Sequence, residues 1–135
     1  MRVISVDLGL ARTGIAAGDS EFCFASPVTV INEYNEEKLI DKICQTAKAE
    51  KAEKIVVGLP LNMDGSEGER ALKCREIAQK IGEKSGVETI MQDERCTTVS
   101  AHNALNDNNV RGKKRKGVVD AVAATIILED YFRSI

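Results

Sequence analysis

Three acidic segments stand out by their neighbours. VISVDLGLARTGIA puts Asp7 at the end of an apolar run and follows it with Gly9, Arg12 and Gly14; VETIMQDE ends a second apolar run on Asp93 and Glu94; GVVDAVAATIILEDYF sets Asp120 among small and apolar residues. An ionised aspartate beside Val3, Ile4 and Val6 loses hydration unless a positive or hydrogen-bonding group compensates it. Arg12, a bound metal ion and the backbone N–H groups of the glycine turn are three candidate partners. Histidine and cysteine compete weakly for the chemistry. His102 is the single histidine, and Cys23, Cys44, Cys74 and Cys96 lack CxxC spacing, which argues against a zinc site or redox pair and leaves four reduced, mainly structural thiols. Cys96 adjoins the acids at 93 and 94, but nothing near it in sequence argues for an activated thiolate.

If the three acidic segments meet, their carboxylates repel one another, and either some take up protons or a cation neutralises them. Hard oxygen ligands select Mg2+ or Mn2+ over zinc. Two such ions about 4 Å apart can align a water, bind a scissile phosphate and stabilise the leaving oxygen, so the shortage of histidine is no obstacle to phosphodiester hydrolysis. Each acid also has a plainer explanation. Asp7 could hydrogen-bond the turn after it, and Asp120 could serve only as a first-turn acid, which a helix N-terminus favours by about 0.3–1 kcal/mol.

The elements that must position these acids follow from periodicity. Alternation and β-branched content predict strands over 2–8, 14–18 and 22–31 as a meander, then a helix capped by Asn35 with a buried stripe of Leu39, Ile40, Ile43, Cys44 and Ala47. KIVVGL at 54–59 is a short apolar strand, and Pro60, Asp64 and Gly65 mark the loop after it. Ser66 and Glu69 have capping-box spacing before a helix whose stripe is Ala71, Cys74, Ile77, Ala78 and Ile81. A fifth strand over 87–92, a short helix from Thr97 to about 105, a polar loop containing RGKKRK and a final helix over 118–132 complete the chain. The expected fold is α/β, a five-stranded mixed sheet flanked by helices, as one domain over 1–135.

In such sheets sites form beyond the carboxyl ends of the parallel strands, which is where Asp7, Asp93 and Glu94 fall. Side chains alternate along a strand, so one of Asp93 and Glu94 joins Asp7, and spacing alone leaves both open. In the final helix Asp120 shares a stripe with Ala124, Ile127 and Tyr131, which directs it inward.

Around these acids, Arg12 could hold a phosphate oxygen or pair with Asp7. Asn62, in the loop after the fourth strand, could meet substrate or simply shape a turn. In RGKKRK five of six positions are basic; Lys113, Lys114, Arg115 and Lys116 could clamp a phosphate backbone beside Asp120, although such a segment is more often a solvated loop. Phe22, Phe24, Tyr34, Tyr131 and Phe132 fall at core or edge positions, so sequence-independent backbone recognition is expected rather than base stacking.

Composition agrees with a folded, soluble protein: 43% hydrophobic and 30% charged residues, net charge −2, no long apolar span and no signal-peptide pattern, hence an expected place in the cytoplasm. The net charge alone does not advertise nucleic acid; the basic cluster does.

DLGLARTGIA, GLPLNMDG, DERCTT and VVDAVAATIILEDYF together resemble the YqgF/RuvX family of ribonuclease H-like nucleases, described as Holliday-junction resolvase-like proteins and as pre-16S rRNA nucleases. The resemblance runs from Arg2 to about Phe132. It implies a ribonuclease H-like fold, a divalent-metal site of Asp7, Glu94 and Asp120, with Glu94 chosen over Asp93, and a nucleic-acid substrate. Arg95 and Thr98 belong to the DERxTT match, where a strand-to-helix junction offers hydroxyls and N–H groups to an anion; capping is the plainer role for Thr97 or Thr98. The favoured reading is a nuclease processing the 5′ end of pre-16S rRNA, with junction resolution in DNA recombination second, as a monomer or weak homodimer. Two further rivals are a non-catalytic nucleic-acid-binding module and a sugar kinase or chaperone-type ATPase, whose phosphate loop also follows a DxG strand; the second needs two domains closing over a nucleotide, more than 135 residues provide.

Overall fold

The computed structural model describes residues 1–9, 12–62, 64–93 and 113–135, with residues 113–120 described through their backbone alone. Its elements, in chain order, are β1 Arg2–Leu8, β2 Thr13–Asp19, β3 Phe24–Ile31, α1 Glu36–Ala49, β4 Lys54–Leu59, α2 Glu69–Ser85, β5 Glu88–Asp93 and α3 Lys113–Ser134. The strands form a five-stranded sheet in the order β3-β2-β1-β4-β5. β1 and β2, and β2 and β3, pair antiparallel; β1 and β4, and β4 and β5, pair parallel. The sheet is mixed and flanked by helices, as the hydrophobic pattern predicts, and the arrangement is the ribonuclease H-like fold that the family resemblance implies.

Strand alternation splits the core in two. Ile4, Val6 and Leu8 of β1 join Ile15, Ile55 and Val57 under α1 and α2, whose Leu39, Ile40, Ile43, Cys74, Ile77 and Ile81 close that side. Val3, Ala16 and Val56 face the other way and pack on Ala124, Ile127, Leu128, Tyr131 and Phe132 of α3. The small residues Ala123 and Ala124 let α3 approach so closely that Ser5 Oγ, fully buried, donates a hydrogen bond to the Ala124 carbonyl at 2.5 Å. Asn35 caps α1, its side chain accepting from Lys38 N–H at 3.0 Å.

Several sequence expectations need correction. α3 begins at Lys113, so Lys113, Lys114, Arg115 and Lys116 lie in its first turns rather than in a loop before residue 118. Lysine and arginine are good helix formers, and a single interior glycine, Gly117, costs only about 1 kcal/mol. The capping box does not form: α2 is capped by Gly68 with no side-chain bond, because Ser66 is turned to Asp64, whose Oδ1 accepts from both its N–H and its hydroxyl. Phe22 and Tyr34, expected at core or edge positions, are 77% and 85% exposed and lie outside the strands and helices, whereas Phe24, 63% exposed, opens the edge strand β3 and Tyr131 and Phe132 are buried, as expected. β2 runs one residue longer at each end than 14–18, β3 begins at Phe24 rather than at residue 22, and β5 ends on Asp93. The short helix expected from Thr97 lies outside the described residues. Among the described residues no helix is long and apolar enough to cross a membrane.

Candidate active site

Asp7 is the next-to-last residue of β1 and is half-buried. It lies on the same face as Val3 and Ser5, both of which meet α3. That helix runs antiparallel to β1. Its later residue Tyr131 accepts a hydrogen bond at 3.1 Å from Lys54, the register partner of Val3 at the amino end, and its earlier residue Ala124 meets Ser5. Two residues further along β1 is Asp7, and one turn back along α3 is Asp120, each a step of about 6 Å toward the carboxyl end of the sheet. The backbones of the first and third expected acids therefore approach each other; the Asp120 side chain lies outside the described part of the chain.

The same alternation decides between the acids at 93 and 94 as far as Asp93 is concerned. Met91 of β5, like Val87 just before the strand, packs with the α1/α2 core, and Ile90 packs with the α3 core. Asp93, exposed, thus belongs to the α2 face, opposite Asp7. Glu94, Arg95 and Thr98 lie outside the described residues, as do Thr97 and Cys96. Among the described residues no group of three His, Cys, Asp or Glu side chains assembles into a metal-binding cluster.

Arg12 directly precedes Thr13, whose pairing with Leu8 closes the loop between β1 and β2, and it is half-buried. Gly9 and Arg12 approach closely: a Cβ on Gly9 would collide with the Arg12 carbonyl oxygen, so only glycine fits. Both Asp7 and Arg12 have interaction partners within the protein. Asn62 is exposed, and its amide donates to Ser66 Oγ at 3.0 Å while its backbone N–H bonds the Ser66 carbonyl and its own carbonyl accepts from Gly65. With Asp64 it builds a self-supporting loop over the carboxyl end of β4, which makes turn-shaping its visible role.

One residue at this edge was not anticipated. Arg70, in the first turn of α2, donates from its guanidinium to the Leu8 carbonyl, the backbone group next to Asp7. Below it, burial pushes the Cys74 thiol upward in pKa, with Arg70 lowering it and Asp7 raising it. The available signal was a cation in the first turn of a helix, where the dipole disfavours positive charge by about 0.3–1 kcal/mol; the capping-box spacing beside it drew attention to Ser66 and Glu69 instead.

The family described as "RuvX: Holliday junction resolvase" matches residues 1–134, essentially the whole of this sheet and its edge. The chain belongs to the RuvX family. A relative from Nitrosospira multiformis, named "Putative pre-16S rRNA nuclease", is 36% identical over 129 residues, covering 96% of this chain and 85% of the relative. Among solved structures, RuvC of T. thermophilus in complex with a Holliday junction substrate superposes with a TM-score of 0.58 at 12% identity, covering 99% of this chain and 94% of that one. The Holliday junction resolvase of fowlpox virus gives 0.59 at 12% identity over the full length of both chains. At such identities these two structures establish the fold, and RuvX family membership establishes a nuclease family.

Proposed function

We propose that residues 1–135 act as one divalent-metal-dependent nuclease domain that hydrolyses phosphodiester bonds at the 5′ end of pre-16S rRNA in the cytoplasm. The observation that carries this reading is the half-buried Asp7 at the carboxyl end of β1, on the face that α3 crosses with Asp120 one turn before its Ala124 contact. A half-buried carboxylate at a strand end, with the backbone of a second acidic residue approaching it, fits Mg2+ or Mn2+, which prefer hard oxygen donors. Strand alternation, which puts Asp93 on the opposite face, supports Glu94 as the third ligand. When bound, the cation supplies an activated water and neutralises charge on the scissile phosphate.

The chain's own groups do the rest. Asp7, Glu94 and Asp120 are the catalytic acids and hold the metal. Arg12, on the tight turn beside Asp7, holds a phosphate oxygen, with Arg95 and Thr98 offering further donors to the same phosphate. Lys113, Lys114, Arg115 and Lys116, in the first turns of α3, engage backbone phosphates of the same strand without reading bases. Asn62 contributes by shaping the loop that follows β4. The relatives' name favours an RNA precursor; the family description favours four-way DNA as the second reading, which would require a two-fold dimer.

A matched panel of pre-16S RNA and four-way DNA, incubated with Mg2+ and scored against Asp7→Asn, tests this. Magnesium-dependent cleavage of the RNA that vanishes in the variant, with binding retained, is expected. Junction cleavage alone would move the assignment to the second reading, and equal residual cleavage by both proteins would leave only a nucleic-acid-binding module.

A further inference from the structure

Arg70 sits where the two parallel strands part. The β1–β4 ladder ends at Val6 and Val57, while β4 stays paired with β5 as far as Leu59 and Asp93. No ladder pairing therefore joins β1 and β4 beyond Val6 and Val57, at the carboxyl end of the strands, the side on which open α/β sheets hold ligands. Beyond the end of that ladder, the Leu8 carbonyl takes its hydrogen bond from Arg70. The guanidinium comes from α2, on the face that packs Leu8 and Cys74, whereas Asp7 lies on the α3 face. It can stiffen the strand from behind without entering the space in front of the carboxylate. Arg70 and Asp7 also act with opposite sign on the Cys74 thiol, so the two charges share one neighbourhood.

We propose that Arg70 is a positioning residue for Asp7: by tying the Leu8 carbonyl to the first turn of α2, it fixes the end of β1 and with it the direction of the Asp7 carboxylate. The chemistry favours arginine for this task. A planar fork of donors restrains a carbonyl in angle as well as distance, which a single rotatable ammonium does not. A helix that carries a cation against its own dipole gains a rigid support for a strand that β4 no longer holds. This inference rests on the metal-dependent reading of Asp7 and adds a residue outside the acids and the basic segment.

The experiment is Mn2+ binding by calorimetry on the full chain, for the wild type, Arg70→Gln and Arg70→Lys, with thermal melts and magnesium titrations of cleavage alongside. Residues that orient a metal ligand typically change affinity 10–100-fold when removed. Arg70→Gln is expected to bind Mn2+ at least about tenfold more weakly and to need correspondingly more Mg2+ for half-maximal cleavage. Arg70→Lys should recover part of that loss and melt within a few degrees of the wild type. If Arg70→Gln does not fold, a several-fold weaker affinity in well-folded Arg70→Lys supports the role. Wild-type affinity in whichever folded variant is measured overturns it. A wild type that binds no Mn2+ overturns the metal reading itself and this inference with it; equal Mn2+ binding by wild type and variant defeats the Arg70 role alone.

Discussion

At the amino end of the parallel strands, charges answer one another. Arg2 meets the Glu50 carboxylate at 2.7 Å and its backbone carbonyl at 3.3 Å, and Lys54 reaches the Tyr131 hydroxyl at 3.1 Å and Glu88 at 3.5 Å. Lys84 pairs with Asp41 in the wall of a cavity of about 690 Å3 that Cys44, Lys48 and Lys51 also line. Lys48 and Lys84 stand in the last turns of α1 and α2, where the helix dipole favours them. At the carboxyl end the logic differs. Arg70 works against its helix dipole to hold a backbone carbonyl, and Asp7 is half-buried at the end of an apolar strand. A roomy, lysine-lined cavity thus marks the amino end, where ion pairs and helix dipoles place the charges, and the proposed site lies at the carboxyl end, where Asp7 and Arg70 share one neighbourhood.

Altering the two ends should have separable effects. The largest is expected at Asp7. Asp7→Asn should reduce divalent-dependent cleavage by more than about 100-fold, beyond the range for residues that merely support a ligand, while the melting temperature holds or rises because a carboxylate is removed from a repulsive group. A variant that melts much lower would turn Asp7 into a structural residue. Next comes the start of α3: replacing Lys113, Lys114, Arg115 and Lys116 with alanine should weaken binding to many sequences alike and lower the salt slope by about one for each phosphate no longer engaged. Filter binding over a salt series checks this, and an unchanged slope removes the segment from the interface.

Smaller still is the amino end. Arg2→Ala should lower stability by at most about 1 kcal/mol, since the ion pair is partly solvated, and leave cleavage unaltered; lost activity in a folded Arg2→Ala would break the contrast between the ends. The smallest effect lies in the helix layer, where Lys73 and Lys80 hold the Glu36 carboxyl below its usual value of 4.5. A depressed carboxylate pKa contributes stability above the unfolded value and loses it as pH falls through the folded one. Glu36→Gln should therefore be slightly less stable than wild type at neutral pH, and the difference in chemical denaturation should fade below about pH 4.5.

Much of this was legible in the sequence because it depends on local rules. The period-2 runs at β1 and β4, the stripe Leu39, Ile40, Ile43 and Ala47, and the cap Asn35 are each written within a few residues and appear as read. The carboxyl-end position of Asp7 followed from the same reasoning. What escaped depended on competition. Ser66 could cap α2 or close a turn on Asp64, and the turn won. The basic run could be a loop or the start of α3, and helix propensity with packing further along won. Phe22 and Tyr34 read as core or edge residues by type alone, yet they fall outside the strands and helices. Arg70 could not be linked to Leu8 from spacing, because 62 residues separate them and only the β1–β4–α2 arrangement joins them.

The central claim is that the carboxyl end of β1 holds a hard cation through Asp7. Anomalous diffraction from a crystal soaked in Mn2+ tests it most directly. A manganese peak bonded to the Asp7 carboxylate, with oxygens of Glu94 and Asp120 completing the protein ligands, is the predicted result. A map with no manganese at Asp7, or with the ion bound instead among Asp41 and its neighbours at the amino end, would contradict it.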